Sequence, residues 1–211
     1  MEAFLIIFQI IVLLYSVVIH EVAHGAVAER LGDPTARLLG RITLNPLRHL
    51  DPVGSVLVPL LLALLPGGVV FGWAKPVPYD PRNLRHPERD GALIALAGPL
   101  SNLCIALVFG VFARMLVASG GSALLLALVS VIILLNVSLA VFNLVPIPPL
   151  DGSKILYALL PRGAFAFRAA LERYGIFILL LFIWFGFSFL TPAIYGLFRF
   201  IAGGEAASLL F

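Results

Sequence analysis

The residues that could do chemistry are concentrated first in His20-Glu21-Val22-Ala23-His24, an HExxH sequence. On a helix, residues four apart share a face, so His20 and His24 can both offer imidazole nitrogen to one zinc ion. Glu21 then lies beside the metal without ligating it, placed to take a proton from water there. From Ala3 to Ile19 the only polar side chains are Gln9, Tyr15 and Ser16, so the approach to the motif reads as a membrane span. In a soluble helix the same three residues could be solvated capping groups. In hydrocarbon each ionisable group costs about 2.5 kcal/mol or more and persists mainly where it has a function.

A third metal ligand comes from far along the chain. A helix over about Ser122 to Phe142 meets Asn143-Leu144-Val145-Pro146-Ile147-Pro148-Pro149-Leu150-Asp151-Gly152, where three prolines in four positions force extended chain. A new helix is expected over Ser153 to Leu160. At 1.5 Å per residue, His20 lies roughly 24 Å along the first span from Phe4, and Asn143 roughly 30 Å along the later helix from Ser122. The two ends can meet on one side of a membrane, with Asp151 completing three protein ligands and leaving a fourth position for water. The alternative for Asp151 is an Asp-Gly turn with a helix cap. Between the motifs, Gly98 permits close backbone approach, Pro99 loosens its helix, and Asn102 needs a partner in an apolar setting, either another helix or a substrate.

These residues must be held by a membrane domain. Of 211 residues, 61% are hydrophobic and 12% charged, and mean hydropathy is +1.08. Those values exclude a soluble globular protein. The net charge of +3 is explained by membrane orientation rather than by nucleic acid. The expected fold is all-α and polytopic: about four transmembrane helices, a re-entrant segment and short membrane-surface β strands, in one domain over residues 1–211. The first span, about Phe4 to Glu29, lacks the basic flank of a cleaved signal peptide and is expected to stay attached. Cys104 reads as a packing residue.

Gly32-Asp33-Pro34 breaks the first helix, and the segment to Asp51 reads as short strands or irregular chain at the membrane surface, with Asp51 or Ser55 capping a helix near Pro52. His49, beside Arg48, reads as structural rather than as a ligand. The segments 29–51, 73–90 and 151–173 are rich in arginine and lysine, whereas the turn near 114–122 carries Arg114 alone. All three are therefore cytoplasmic by the positive-inside rule, and residues 53–71 should enter and leave on the same side. Trp73 to Asp80 reads as an edge strand or extended loop. A helix from about Gly91 to Arg114 spans outward. The last span, Gly175 to Phe200, is broken at Thr191-Pro192, with Ala193 to Ile201 placed in the interface.

Together these motifs resemble the site-2 proteases, zinc metalloproteases that cut other proteins inside the membrane. The likeness rests on His20 to His24, on Asn143 to Gly152, which is similar to that family's NxxPxxxxDG pattern, and on Gly98 to Asn102 between them. The resemblance implies one zinc ion per chain on His20, His24 and Asp151, Glu21 as base, Asn143 contacting substrate or stabilising the oxyanion, and Asn102 assisting. It implies a transmembrane protein as substrate, the lipid bilayer as surroundings, no nucleic acid, and an active site near the cytoplasmic side of a prokaryotic cell membrane. The chain looks like a compact member without PDZ or CBS domains. A silent zinc-binding membrane protein or a metal transporter could use the same ligands, but has no need of Glu21 beside them.

Overall fold

A computed structural model describes residues 2–57, 74–161 and 163–208. The chain is a multi-pass membrane protein, and among the described residues four helical stretches are long and apolar enough to cross a bilayer: Ala3–Arg30, Pro87–Ala118, Ala123–Asn143 and Phe165–Ala202. The first, α1 (Glu2–Arg30), is unbroken until Gly32 takes a positive φ of 108° and turns the chain out of the helix. A short α2 (Thr35–Leu38) follows. The second span, α3 (Pro87–Ala118), starts with proline at a position that needs no N–H, and the Asp90 carboxylate accepts the His86 N–H across its first turn. After it come α4 (Ala123–Asn143) and α5 (Asp151–Leu159).

α3 is the central helix, in contact with α1, α4 and α5. Large apolar side chains along α1 and α3, such as Ile7, Ile10, Val108 and Phe112, face outward, as bilayer-exposed surface must. The start of α3 lies beside the end of α1, where Ala28, Leu84 and Ile94 form a small core. Both ends of the intervening chain therefore lie on one side of the bundle. Residues 58–73 lie outside the described residues, and most of the re-entrant reading of 53–71 falls on them. At their flanks, the Asp51 side chain caps the turn over Pro52–Leu57 by accepting the Val53 and Gly54 N–H groups, and the Lys75 N–H donates to the His49 carbonyl.

The expected surface strands are corrected: among the described residues no strand forms. Residues 75–80 are extended, but three of their N–H groups go to isolated acceptors. Lys75 donates to His49, Val77 to Glu21 and Asp80 to Asp33, while Pro76 and Pro78 have no N–H to give. Asp33 is fully buried and also accepts from Thr35 and from the Asn83 amide at 2.8 Å. Burial alone would push its carboxyl up, but these donors hold it below the usual carboxylate range.

The last span also differs from expectation. Helix α6 (Phe165–Leu181) widens into π and then 3₁₀ turns over 182–190, and Thr191-Pro192 opens the next helix, α7 (Thr191–Ala202). Proline breaks a helix interior but suits a first turn, so the irregular stretch precedes it. The stretch expected in the interface, α7, packs one face into the bundle. Ile194, Phe198 and Ile201 are buried with Ala106, Ala113, Ile133 and Val137 in the main apolar core between α3 and α4. The Arg114 guanidinium donates to the carbonyls of Phe200 and Ile201, satisfying the exposed C-terminal end of α7. A four-residue α8 (Gly204–Ala207) follows.

The α3–α7 contact depends on Gly110, where an added Cβ would stand 2.3 Å from Ile201 Cγ2 and 3.0 Å from its carbonyl oxygen. Gly110→Ala should therefore lower thermal stability in detergent by about 1–3 kcal/mol. Gly196→Ala, on the same α7 but with no atom within 4 Å of the new Cβ, should not. Equal melting temperatures for the two variants would show that this contact does not hold the last span.

Candidate metal centre

His20 and His24 sit on one face of α1 with rings perpendicular and centroids 4.6 Å apart. Asp151, the first residue of α5, reaches them: its Oδ2 lies 3.1 Å from His20 Nε2 and 3.3 Å from His24 Nε2. Ligands about 2.0–2.1 Å from a tetrahedral ion stand roughly 3.3 Å from one another, so this spacing fits one small cation. Among the described residues these three form the group able to hold a metal.

The protonation pattern tightens that argument. His24 Nδ1 lies 2.6 Å from the Ile94 carbonyl, which can only accept, so this nitrogen carries the proton. His20 Nδ1 lies 2.7 Å from Asn102 Oδ1. The orientation of that amide is set by its other end, where Asn102 Nδ2 donates to the Ser16 carbonyl and to Asn136 Oδ1. Both imidazoles therefore turn their Nε2 atoms to the Asp151 oxygen. That oxygen is itself buried. As neutral imidazoles, the two histidines would offer their Nε2 lone pairs, with this oxygen, to a cation between them.

Glycine makes the space. A Cβ at Gly98 would stand 2.5 Å from both His20 Nε2 and His24 Nε2, in the volume an ion there requires. Asp151 is delivered by a second glycine. At Gly152 a Cβ would stand 2.2 Å from the Leu144 carbonyl oxygen and 2.5 Å from that of Val145, so only glycine lets α5 start against the preceding turn.

Glu21 lies outside this group. Its Oε2 accepts the Val77 N–H at 2.7 Å, which keeps the carboxylate beside the ligands without joining them. Asn143 ends α4, and its Nδ2 donates to Leu139 in its own helix at 2.9 Å. Asn102, expected to meet either a helix or a substrate, is fully buried and meets His20, Ser16 and Asn136. His49 is buried away from the metal group, with Nε2 against the Thr43 carbonyl.

Sequence reasoning missed Asn136 and Ser16. Asn136 is fully buried, donating to Ser16 Oγ at 2.9 Å and to Ile132, so the amides of α3 and α4 and the hydroxyl of α1 form one network behind His20. The available signals were Ser16 one turn before His20 and a lone amide in the apolar run of α4. Beside α5, Tyr79, Gly91, Lys154, Tyr157 and Arg168 help to line a cavity of about 170 Å³. Burial, with the Glu172 and Asp151 carboxylates nearby, pushes the Tyr79 phenol up.

The family model described as peptidase family M50 matches residues 8–124 and 115–183. Three similar proteins carry the name "Putative zinc metalloprotease". YwhC of Bacillus subtilis is 41% identical over 180 residues, covering 82% of this chain and 78% of its own. Rip2 of Mycobacterium tuberculosis H37Rv is 33% identical over 171 residues, covering 81% and 64%. MJ0611 of Methanocaldococcus jannaschii is 48% identical over 71 residues, covering 33% and 35%. No solved structure matches this chain.

Gly98→Ala tests the metal centre directly. The variant should fold, since Ala suits a helix better than Gly, yet lose its metal by elemental analysis. Asn102→Ala should weaken metal affinity about 10–100-fold in chelator competition, the usual cost of removing a group that orients a ligating histidine. A metal-replete Gly98→Ala protein would refute the site geometry.

Proposed function

Because the chain belongs to peptidase family M50, the site-2 protease family, we propose that it is a zinc endopeptidase cutting transmembrane substrate proteins at the centre formed by His20, His24 and Asp151. One observation carries the reading: His20 Nε2, His24 Nε2 and Asp151 Oδ2 converge at the spacing of ligands around one small ion, and the carboxylate of Glu21, next to His20 in the chain, is held by a main-chain N–H. One zinc ion per chain, bound there, would supply Lewis acidity and bring the pKa of a water molecule it holds to near 7.

The remaining work falls to the protein. Glu21 accepts the proton that the attacking water gives up and returns it to the amine nitrogen of the departing strand. His20 and His24 stay neutral, each locked by the acceptor on its Nδ1, so the Nε2 lone pairs remain available for the ion. Asn143 carries two amide protons, one of them engaged with Leu139, and is assigned to the substrate carbonyl or to the negative oxygen that develops on it. Asn102 is assigned to His20 rather than to substrate. The side of the bundle bearing the site also bears the basic segments 29–51, 73–90 and 151–173, which supports a cytoplasmic placement in a prokaryotic cell membrane.

The roles separate by mutation. Glu21→Gln should keep near-stoichiometric zinc while hydrolysis of single-span test proteins in detergent collapses. His20→Ala and Asp151→Ala should lose both. Asn143→Ala should hold zinc and lose about a hundred- to thousandfold in kcat if it serves the oxyanion, or raise KM if it only holds substrate. Normal cleavage by Glu21→Gln would sink the mechanism.

Orientation has its own test. Cysteines at Arg48, Arg82 and Arg168, in a background without Cys104, should resist an impermeant thiol reagent outside intact cells, while one at Ser119 reacts. Labelling at Arg82 but not at Arg48 would place the two flanks of 53–71 on opposite sides.

A further inference from the structure

The carboxylate of Glu21 is held by the main chain of a distant segment, and that segment is held by one arginine. Val77, which donates its N–H to Glu21 Oε2 at 2.7 Å, lies between two prolines in extended chain. Its side chain is buried against α1, with Cγ1 3.1 Å from where a Cβ on Gly25 would stand. The two carbonyls before it, those of Lys75 and Pro76, both accept from Arg41 Nη2, at 2.7 and 3.2 Å. The Arg41 Nη1 donates to the Arg48 carbonyl, joining the stretch after α2 to the extended segment. Further along, Asp33 anchors Asp80 and Asn83.

Arg41 is an expensive tie. It is only 8% exposed, and among the described residues its partners are carbonyls rather than a carboxylate and its buried Nε has none. Burying a guanidinium against neutral dipoles is unfavourable relative to an apolar contact of the same volume. What it achieves geometrically is a fork: one planar cation grips successive carbonyls and so fixes the peptide plane between Pro76 and Val77. A lysine, as a point charge, would not fix that plane. The plane sets where the Val77 N–H points, and Glu21 is where it points.

We propose that Arg41 is a positioning residue for Glu21, acting through the Val77 N–H. By occupying Oε2, the N–H fixes the rotamer of a side chain with three free torsions and leaves Oε1 as the oxygen that takes the proton. It also keeps the carboxylate off the metal ligands. This rests on the reading of Glu21 as base, and it adds a requirement that the ligand set alone does not impose.

The test combines kinetics with a readout that needs no substrate. Val77→Pro deletes the N–H in a stretch already flanked by prolines, whereas Val77→Ala keeps the N–H and trims the packing. Val77→Pro and Arg41→Ala should each lower kcat about ten- to a hundredfold on a fluorescein-labelled single-span test protein, with KM and zinc content unchanged. Val77→Ala should stay close to wild type, and Arg41→Lys should fail to restore the rate. In a Val77→Pro background, Arg41→Ala should cost little more, because the residues act in series. If Val77→Pro does not fold, replacing Val77 by its α-hydroxy acid removes the same N–H.

Independently, labelling with ¹⁵N-valine and ¹³C-proline selects only Val53 and Val77 among Pro-Val pairs. The Val77 amide proton should resonate downfield and move upfield in both Glu21→Gln and Arg41→Ala. An unmoved resonance in Arg41→Ala, or wild-type kcat in the N–H-deleted variant, overturns the proposal. If Glu21→Gln itself remains active, the reading of Glu21 as base has failed instead.

Discussion

The structure depends on one electrostatic constraint: His20 Nε2, His24 Nε2 and Asp151 Oδ2 converge within a few ångströms in a largely buried place. With both imidazoles neutral, the three atoms bring lone pairs together, an arrangement that a cation between them relieves. Holding it together requires that neither imidazole rotate nor change tautomer. The Ile94 carbonyl does this for His24, and Asn102 does it for His20. Three spans are committed to that task. α1 carries the histidines, α3 supplies both acceptors and the bare Gly98 face, and α4 supplies Asn136 to orient Asn102. An amide network of this kind is costly in an apolar bundle unless every member is satisfied, and here each amide has partners at both ends.

The site also dictates where the chain must abandon regular helix. Asp151 has to enter from a different span than the histidines, on the same side, so α4 ends at Asn143 and the proline-rich turn carries the chain back. That turn is compact enough that α5 can begin only with glycine at its second position. The turn is in turn buttressed from α6, where Gly175 lets Pro148 approach and Leu179 packs with Val145 and Leu150. The broken last span thus serves two purposes. Its first half backs the turn that delivers Asp151, and its second half, α7, fills the apolar core between α3 and α4.

Much of this was legible in the sequence, for physical reasons that can be named. HExxH and Asp151 could be read because helical periodicity and ligand count are local rules, and the four spans because hydropathy acts over windows as long as a span. Asn102 announced that it needed a partner but not which one, since a lone amide carries no address; the answer lay in His20, 82 positions away. Asn136 gave the same weak signal and was passed over. Around Trp73 to Asp80 the sequence left edge strand and extended loop both open, because alternation identifies extended chain without identifying what its N–H groups will bond. Here the acceptors are carboxylates and a lone carbonyl, not a neighbouring strand. The Val77 N–H was invisible for a deeper reason: every non-proline residue has one, so nothing in the sequence marks the one that matters.

The proposed ligands and the proposed base are held by different kinds of structure, and on that reading binding is separated from chemistry. His20, His24 and Asp151 are fixed by side chains buried in the helical bundle, where packing resists displacement. Glu21 is fixed by a backbone donor in a non-helical segment lying across α1, whose own position comes from Arg41 on one side and Asp33 on the other. A disturbance in the bundle must therefore reach the metal. A disturbance in the segment can leave the ligands intact and still turn the carboxylate, because a rotamer held by one hydrogen bond is far softer than a helix held by a packed face. With Glu21 as base, the extended segment is thus the place where the fold can alter catalysis without dismantling the proposed metal centre.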